Sequence, residues 1–176
     1  MLNPKILTQH YLQKILSLRR MTMVLVVVLG YAWLAVGFSP SHGDPVRGSA
    51  APDSLLQVAH ALLGTPYLPG GKKPGGFDCS GYTRYTYQQL GIRLNASAAA
   101  QFEQGRAVPS DSLQPGDLVF FKNSRGYIFH VGIYEGIDDE EKIFVHASSS
   151  RGVRRDRLNA PYFRQRWAGA RRIFSE

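Results

Sequence analysis

Apolar residues change their spacing three times along the chain, and each change marks a different kind of segment. Residues 21–38 (MTMVLVVVLGYAWLAVGF) are an uncharged, almost wholly apolar run. Over residues 53–63, Leu55, Leu56, Ala59, Leu62 and Leu63 recur at helical spacing, with Asp53 available as a cap and Gly64 as a stop. Residues 64–76 contain five glycines and three prolines and read as a loop. Residues 79–90 read as a second helix that can turn Tyr82, Tyr85 and Leu90 to a core and ends at Gly91. Residues 97–104 read as a short third helix. After Pro115-Gly116 the pattern becomes strand-like at 118–121, 127–134 and 142–147, with 153–155 and 170–174 as edge strands. Helices first and short strands after them predict an α+β domain with an antiparallel sheet.

The apolar run at 21–38 follows Arg19 and Arg20. It is long for a signal-peptide core and slightly short for a membrane span. It predicts either a cleaved signal peptide or a retained signal-anchor over residues 1–38, with the basic flank in the cytoplasm and the rest exported. Residues 39–52 (SPSHGDPVRGSAAP) read as a flexible linker, so the folded domain is expected over 53–176. The expected location is the periplasm or cell envelope, with residues 21–38 as an inner-membrane anchor if they are not removed.

Charge and cysteine content narrow the chemistry. The net charge is +8, but four basic residues lie in the first forty positions, which contain no acid. The remainder carries 17 basic and 13 acidic residues, only +4. The single cysteine, Cys79, has no partner for an intramolecular disulfide. Exported cysteines are mostly paired, so a lone one is either buried filler or a reactive thiol. Position favours reactivity: Asp78-Cys79-Ser80-Gly81 follows a glycine-rich loop and opens a predicted helix, whose N-terminal field stabilises a thiolate. Two strand-borne histidines, His130 and His146, can supply a base and a group to orient it. His60 reads as a structural residue on a helix surface. One cysteine and two histidines in no close metal-ligand spacing give no reason to expect a metal.

Six segments in order resemble the NlpC family of bacterial cell-wall cysteine endopeptidases. They are Gly64-Thr65-Pro66-Tyr67, Gly70-Gly71, Phe77-Asp78-Cys79-Ser80-Gly81, residues 113–121 (LQPGDLVFF), His130-Val131-Gly132-Ile133-Tyr134 and His146-Ala147-Ser148-Ser149. The resemblance implies a papain-like core, with N-terminal helices packed on a central antiparallel sheet. It implies Cys79 as nucleophile, His130 as general base, His146 as the orienting residue and Tyr67 as a possible oxyanion donor. It also implies that Asp78 and Ser80 help to hold substrate, that the substrate is a peptidoglycan stem peptide or cross-link, and that no metal or organic cofactor is needed. Pro69 departs from the aromatic or leucine frequent before the paired glycines, and the acidic insert at 138–141 is expected to lengthen a hairpin loop.

Residues 151–172 carry eight arginines and one acid, Asp156. Nucleic-acid binding does not fit an exported domain of modest charge. A solvated face, or a grip on anionic wall polymers and stem-peptide carboxylates, fits better. A monomer is expected. Two other readings stay open: a non-catalytic wall-binding or regulatory module, and a papain-like amidase or acyltransferase acting on another amide.

Overall fold

The computed structural model describes residues 50–174. The expected signal or anchor at 1–38, and residues 39–49 of the expected linker, lie outside the described residues. Helix α1 spans Ala50–Ala61 and so starts ahead of Asp53, which sits in its first turn. Its apolar stripe buries Leu55 and Ala59 completely. The segment read as a loop contains a small antiparallel hairpin, β1 (Lys72–Lys73) and β2 (Gly76–Phe77). Its Pro74-Gly75 turn places Gly75 at φ 114°, a conformation that side chains disfavour.

Helix α2 spans Cys79–Gln88 and α3 spans Ala98–Phe102. Tyr82 and Tyr87 of α2 are fully buried. The Tyr82 hydroxyl donates to the Ala59 carbonyl at 3.1 Å, and the Tyr87 hydroxyl donates to the Gly116 carbonyl. Gln101 of α3 is buried without leaving an orphan polar atom. It accepts from Thr83 Oγ1 at 2.8 Å and donates to the carbonyls of Ser80 (3.1 Å) and Asn95 (2.9 Å), tying α3 to the first turn of α2.

The strands are β3 (Arg106–Val108), β4 (Leu118–Lys122), β5 (Ile128–Asp138), β6 (Glu141–Ser148), β7 (Gly152–Arg157) and β8 (Trp167–Arg172). A short helix, α4 (Pro161–Arg164), precedes β8. They form a six-stranded sheet in the order β3-β8-β4-β5-β6-β7, with antiparallel pairing throughout. The fold is therefore α+β. Two expectations are corrected. The last strand is internal, not an edge, because it pairs with both β3 and β4. The acidic insert does not lengthen a loop: Asp138 pairs with Glu141, and Asp139 and Glu140 alone make the turn, at φ 47° and 65°. Both central residues with positive φ match the twist of a two-residue hairpin, so the insert lengthens the strands instead.

The sheet is covered on both faces, which is why Leu118, Val119, Phe120 and Phe121 are all fully buried. Leu118 and Phe120 join the helix-side core with Val131, Ile133, Val145 and Ala147. Val119 and Phe121 join the opposite core with Phe144 and Phe163 of α4. Asp117, just before β4, locks this arrangement. Arg172 Nε and Nη2 each reach one of its carboxylate oxygens at 2.8 Å, and the Gln114 amide donates to Oδ2 at 2.8 Å. Removing one partner of a buried ion pair strands the other. Asp117→Ala is expected to lower unfolding stability by about 3 kcal/mol in urea titrations.

Candidate active site

The N-terminus of α2 fixes the thiol. Asp78 caps the helix: its Oδ1 accepts from the Gly81 amide at 2.6 Å and from Ser80 Oγ at 3.1 Å. The Asp78 amide donates in turn to the Gly71 carbonyl at 3.1 Å. A Cβ on Gly81 would overlap that same carbonyl, so the Cys-Ser-Gly step needs its glycine for close approach. Tyr67 is held alongside by a parallel bridge to Phe77, with the Leu68 amide donating to Phe77 (3.0 Å) and the Phe77 amide to Pro66 (3.1 Å).

The second half of the site comes from the sheet. Between β4 and β5 the register shifts: Phe121 pairs with His130 and Lys122 with Ile128, leaving Phe129 as an extra residue. Such a bulge bends the strand and re-aims its groups. The Phe129 carbonyl lies 3.9 Å from Cys79 Sγ, which puts the start of β5 against the helix N-terminus. His130 Nε2 is 2.7 Å from His146 Nδ1, with the rings perpendicular at 89°. The β5–β6 register sets Ile133 opposite Val145, which puts Gly132 opposite His146 and His130 on the diagonal. A Cβ on Gly132 would come within 2.6 Å of the Phe144 ring and 3.0 Å of His146 Cβ. The glycine thus clears the room in which the imidazoles meet.

Beyond His146 the contacts continue. His146 Nε2 is 2.9 Å from Asp156 Oδ2, and Asp156 Oδ1 is 2.7 Å from an Arg154 guanidinium nitrogen. Aromatic rings enclose the pair. Phe144 stacks on His146 at 4.7 Å, Phe163 meets it edge-on at 5.4 Å, and Phe121 lies 5.9 Å from His130. Tyr67, Cys79, His130, His146, Arg151 and Asp156 line one cleft of about 530 Å³.

This environment sets the protonation states. Burial pushes the Cys79 thiol up; the amides of Val131, Ser80 and Cys79 itself pull the other way, and the charge of Asp78 adds to the rise. Burial, then His146, pulls His130 down to about 3, with Asp156 opposing. Burial also lowers His146 against its hydrogen bond to Asp156. Burial would raise Asp156, but His146, Arg154 and Arg151 outweigh it and hold the carboxyl below its usual range. Burial raises Tyr67, with Cys79 and Asp78 adding to it, so its phenol stays a donor. The helix-start field expected at Cys79 is present, yet desolvation exceeds it. Burial thus favours the neutral form of both Cys79 and His130.

Cys79, His130, His146 and Tyr67 are thus brought together. Asp78 and Ser80 stand beside Cys79, where the Asp78 carboxylate caps α2. His60 lies elsewhere, 3.3 Å from Glu135 on the surface of α1. Asp156 was not singled out as a site residue from sequence. Its one signal was to be the lone acid in an arginine-rich stretch. Among the described residues no cluster of histidine, cysteine and carboxylate side chains could hold a metal ion.

The sequence profile of the NlpC/P60 family matches residues 64–172. A probable endopeptidase from Haemophilus influenzae is 36% identical over 141 residues, covering 79% of this chain and 83% of that protein. A murein DD-endopeptidase MepS/murein LD-carboxypeptidase from Escherichia coli K12 is 42% identical over 114 residues, covering 64% of this chain and 57% of that one. The crystal structure of an NlpC/P60 family protein from Bacillus cereus superposes with a TM-score of 0.67 at 35% identity, covering 71% of this chain and 41% of that one.

The buried histidines predict a pH dependence of stability. A histidine held below its unfolded value makes the folded state bind fewer protons than the unfolded one, so stability falls as pH drops below about 6.5. Asp156, also held low, adds its loss in the same direction below about pH 4. Urea midpoints are expected to fall between pH 6.5 and 4 by the equivalent of about 1 kcal/mol per pH unit, with a shallower slope in His130→Gln. A midpoint flat across that window would contradict the depressed histidines.

Proposed function

Because the chain belongs to the NlpC/P60 family, we propose that it is a cysteine endopeptidase that cleaves peptidoglycan stem peptides or their cross-links, with Cys79 as nucleophile and His130 as base. The observation that carries this reading is the meeting of a helix-start thiol and a paired imidazole in one cleft. His130 takes the proton of Cys79 as Sγ attacks the scissile carbonyl carbon. The carbonyl oxygen becomes an oxyanion, for which the Tyr67 hydroxyl and the Cys79 amide are the donors. Each such donor is worth about 3 kcal/mol of barrier. His130 then returns its proton to the leaving amine, and a thioester remains. Water, losing a proton to His130, attacks the thioester and releases the new carboxyl group, and the thiol is restored. No step needs a metal or organic cofactor.

The cleft suits an acidic peptide. Arg154 is matched by Asp156, which leaves Arg151 as surplus positive charge at the rim. Stem peptides carry free carboxylates, which arginine binds in bidentate fashion. Asp78 Oδ1 is spent on the helix cap, leaving Oδ2 to accept from a substrate. The curated relatives bear endopeptidase and murein names, which supports action in the cell envelope. There the uncharged run at 21–38 serves as export signal or inner-membrane anchor. The cleft groups named all come from one chain, so a monomer suffices.

Incubation of the full chain with purified peptidoglycan, followed by mass spectrometry, is expected to release stem-peptide fragments whose masses name the scissile bond. Cys79→Ala should release none; equal release by that variant would refute the reading. Arg151→Ala is expected to raise KM about ten-fold with kcat little changed, the loss of one charge-assisted contact. An unchanged KM would remove Arg151 from substrate binding.

A further inference from the structure

The chain of short contacts does not stop at His146, and its far end determines where the protons lie. An ionised carboxylate only accepts hydrogen bonds, so the 2.9 Å contact to Asp156 puts a proton on His146 Nε2. A neutral His146 then has a bare Nδ1. The 2.7 Å contact with His130 therefore requires the proton on His130 Nε2. A neutral His130 is left with Nδ1 bare, the one ring nitrogen able to receive a proton from the thiol. Without Asp156 nothing chooses between the two tautomers of His146, and the Nδ1-protonated one would make His130 Nε2 the acceptor and place the His130 proton on Nδ1, where the thiol proton has to go.

We propose that Asp156 is a positioning residue, the fourth member of the relay, which fixes the tautomers of His146 and His130 and holds the positive charge His130 acquires when Cys79 is activated. The proposal rests on the reading of Cys79 and His130 as nucleophile and base. Strand register supports it. β6 and β7 pair His146 with Arg154 and Phe144 with Asp156, so residues 154 and 156 share one face and flank the imidazole. The neighbouring Arg155 points elsewhere, to Glu135 at 2.8 Å and Asp138 at 2.8 Å. Asp156 is thus not a partner for the arginine stretch at large. The charged and titratable groups facing the two imidazoles are Cys79 of α2, Tyr67 of the preceding loop, Asp156 and Arg154 of β7, Arg151 of the β6–β7 turn and Tyr162 of α4. Asp156 is the acid among them, and Arg154 holds its other oxygen.

The test uses the full chain. Nitrogen NMR of the imidazole rings at neutral pH is expected to show both His130 and His146 protonated at Nε2 and bare at Nδ1. Asp156→Ala should release His146 into a mixture of tautomers and lower kcat/KM about 100-fold. Asp156→Asn, whose side-chain oxygen can still accept from Nε2, should keep the tautomer but lack the charge. Its pH–rate profile should move to lower pH, since the imidazolium has lost its counter-charge. A wild-type His146 protonated at Nδ1 would overturn the proposal. So would an Asp156→Ala variant within two-fold of wild type, or activity lost in both variants with the pH profile unmoved, as a merely structural residue would give. The ring-nitrogen readout needs no turnover, so its failure is distinguishable from failure of the hydrolase reading.

Discussion

The site depends on two imidazoles meeting at 2.7 Å, and much of the nearby sheet is arranged to allow it. The two histidines sit on neighbouring strands at diagonal positions, a separation that only long or aromatic side chains bridge. Gly132 opposite His146 leaves the gap they close. The bulge at Phe129 brings the start of β5 to the N-terminus of α2, where Cys79 stands. A one-residue slip of β5 against β6 would turn His130 to the other face, away from His146.

Dryness gives this contact its chemical meaning. Phe121, Phe144 and Phe163 surround the imidazoles, and burial dominates the shifts of Cys79, His130 and His146 alike. Such a setting opposes an isolated charge on either group. It favours a pair formed by one proton transfer, with amide N–H groups at the sulfur and a carboxylate behind the second imidazole. In the proposed reaction, rate enhancement then comes from dipoles arranged before the thiol is ionised.

Much of this was legible in the sequence. Helical spacing identified α1 and α2, and apolar runs identified β4, β5 and β6, because each buries a regular face. Cys79, His130 and His146 were marked by their residue types and by the loop-to-helix and strand contexts, and Tyr67 by the ordered family segments alone. What escaped were features set by pairing between distant strands. β3 is three residues long with two of them exposed, too short for a period. The internal place of β8 follows from β3 joining its outer edge. The Asp139-Glu140 turn needs two non-glycine residues at positive φ, a rare choice that composition does not announce. Asp156 reaches His146 only through the β6–β7 register, and in sequence it looks like one acid among arginines.

The proposed hydrolysis turns on one atom, Cys79 Sγ, which lines the cleft of this NlpC/P60 family member. The most direct measurement is covalent titration of the full chain with an acyloxymethyl ketone built on a stem-peptide sequence, followed by intact-mass and peptide-map analysis. One equivalent bound at Cys79, with wall hydrolysis falling in proportion to labelling, is the result the account predicts. Stoichiometric labelling of Cys79 with hydrolysis retained, or inactivation through a different residue, would contradict it.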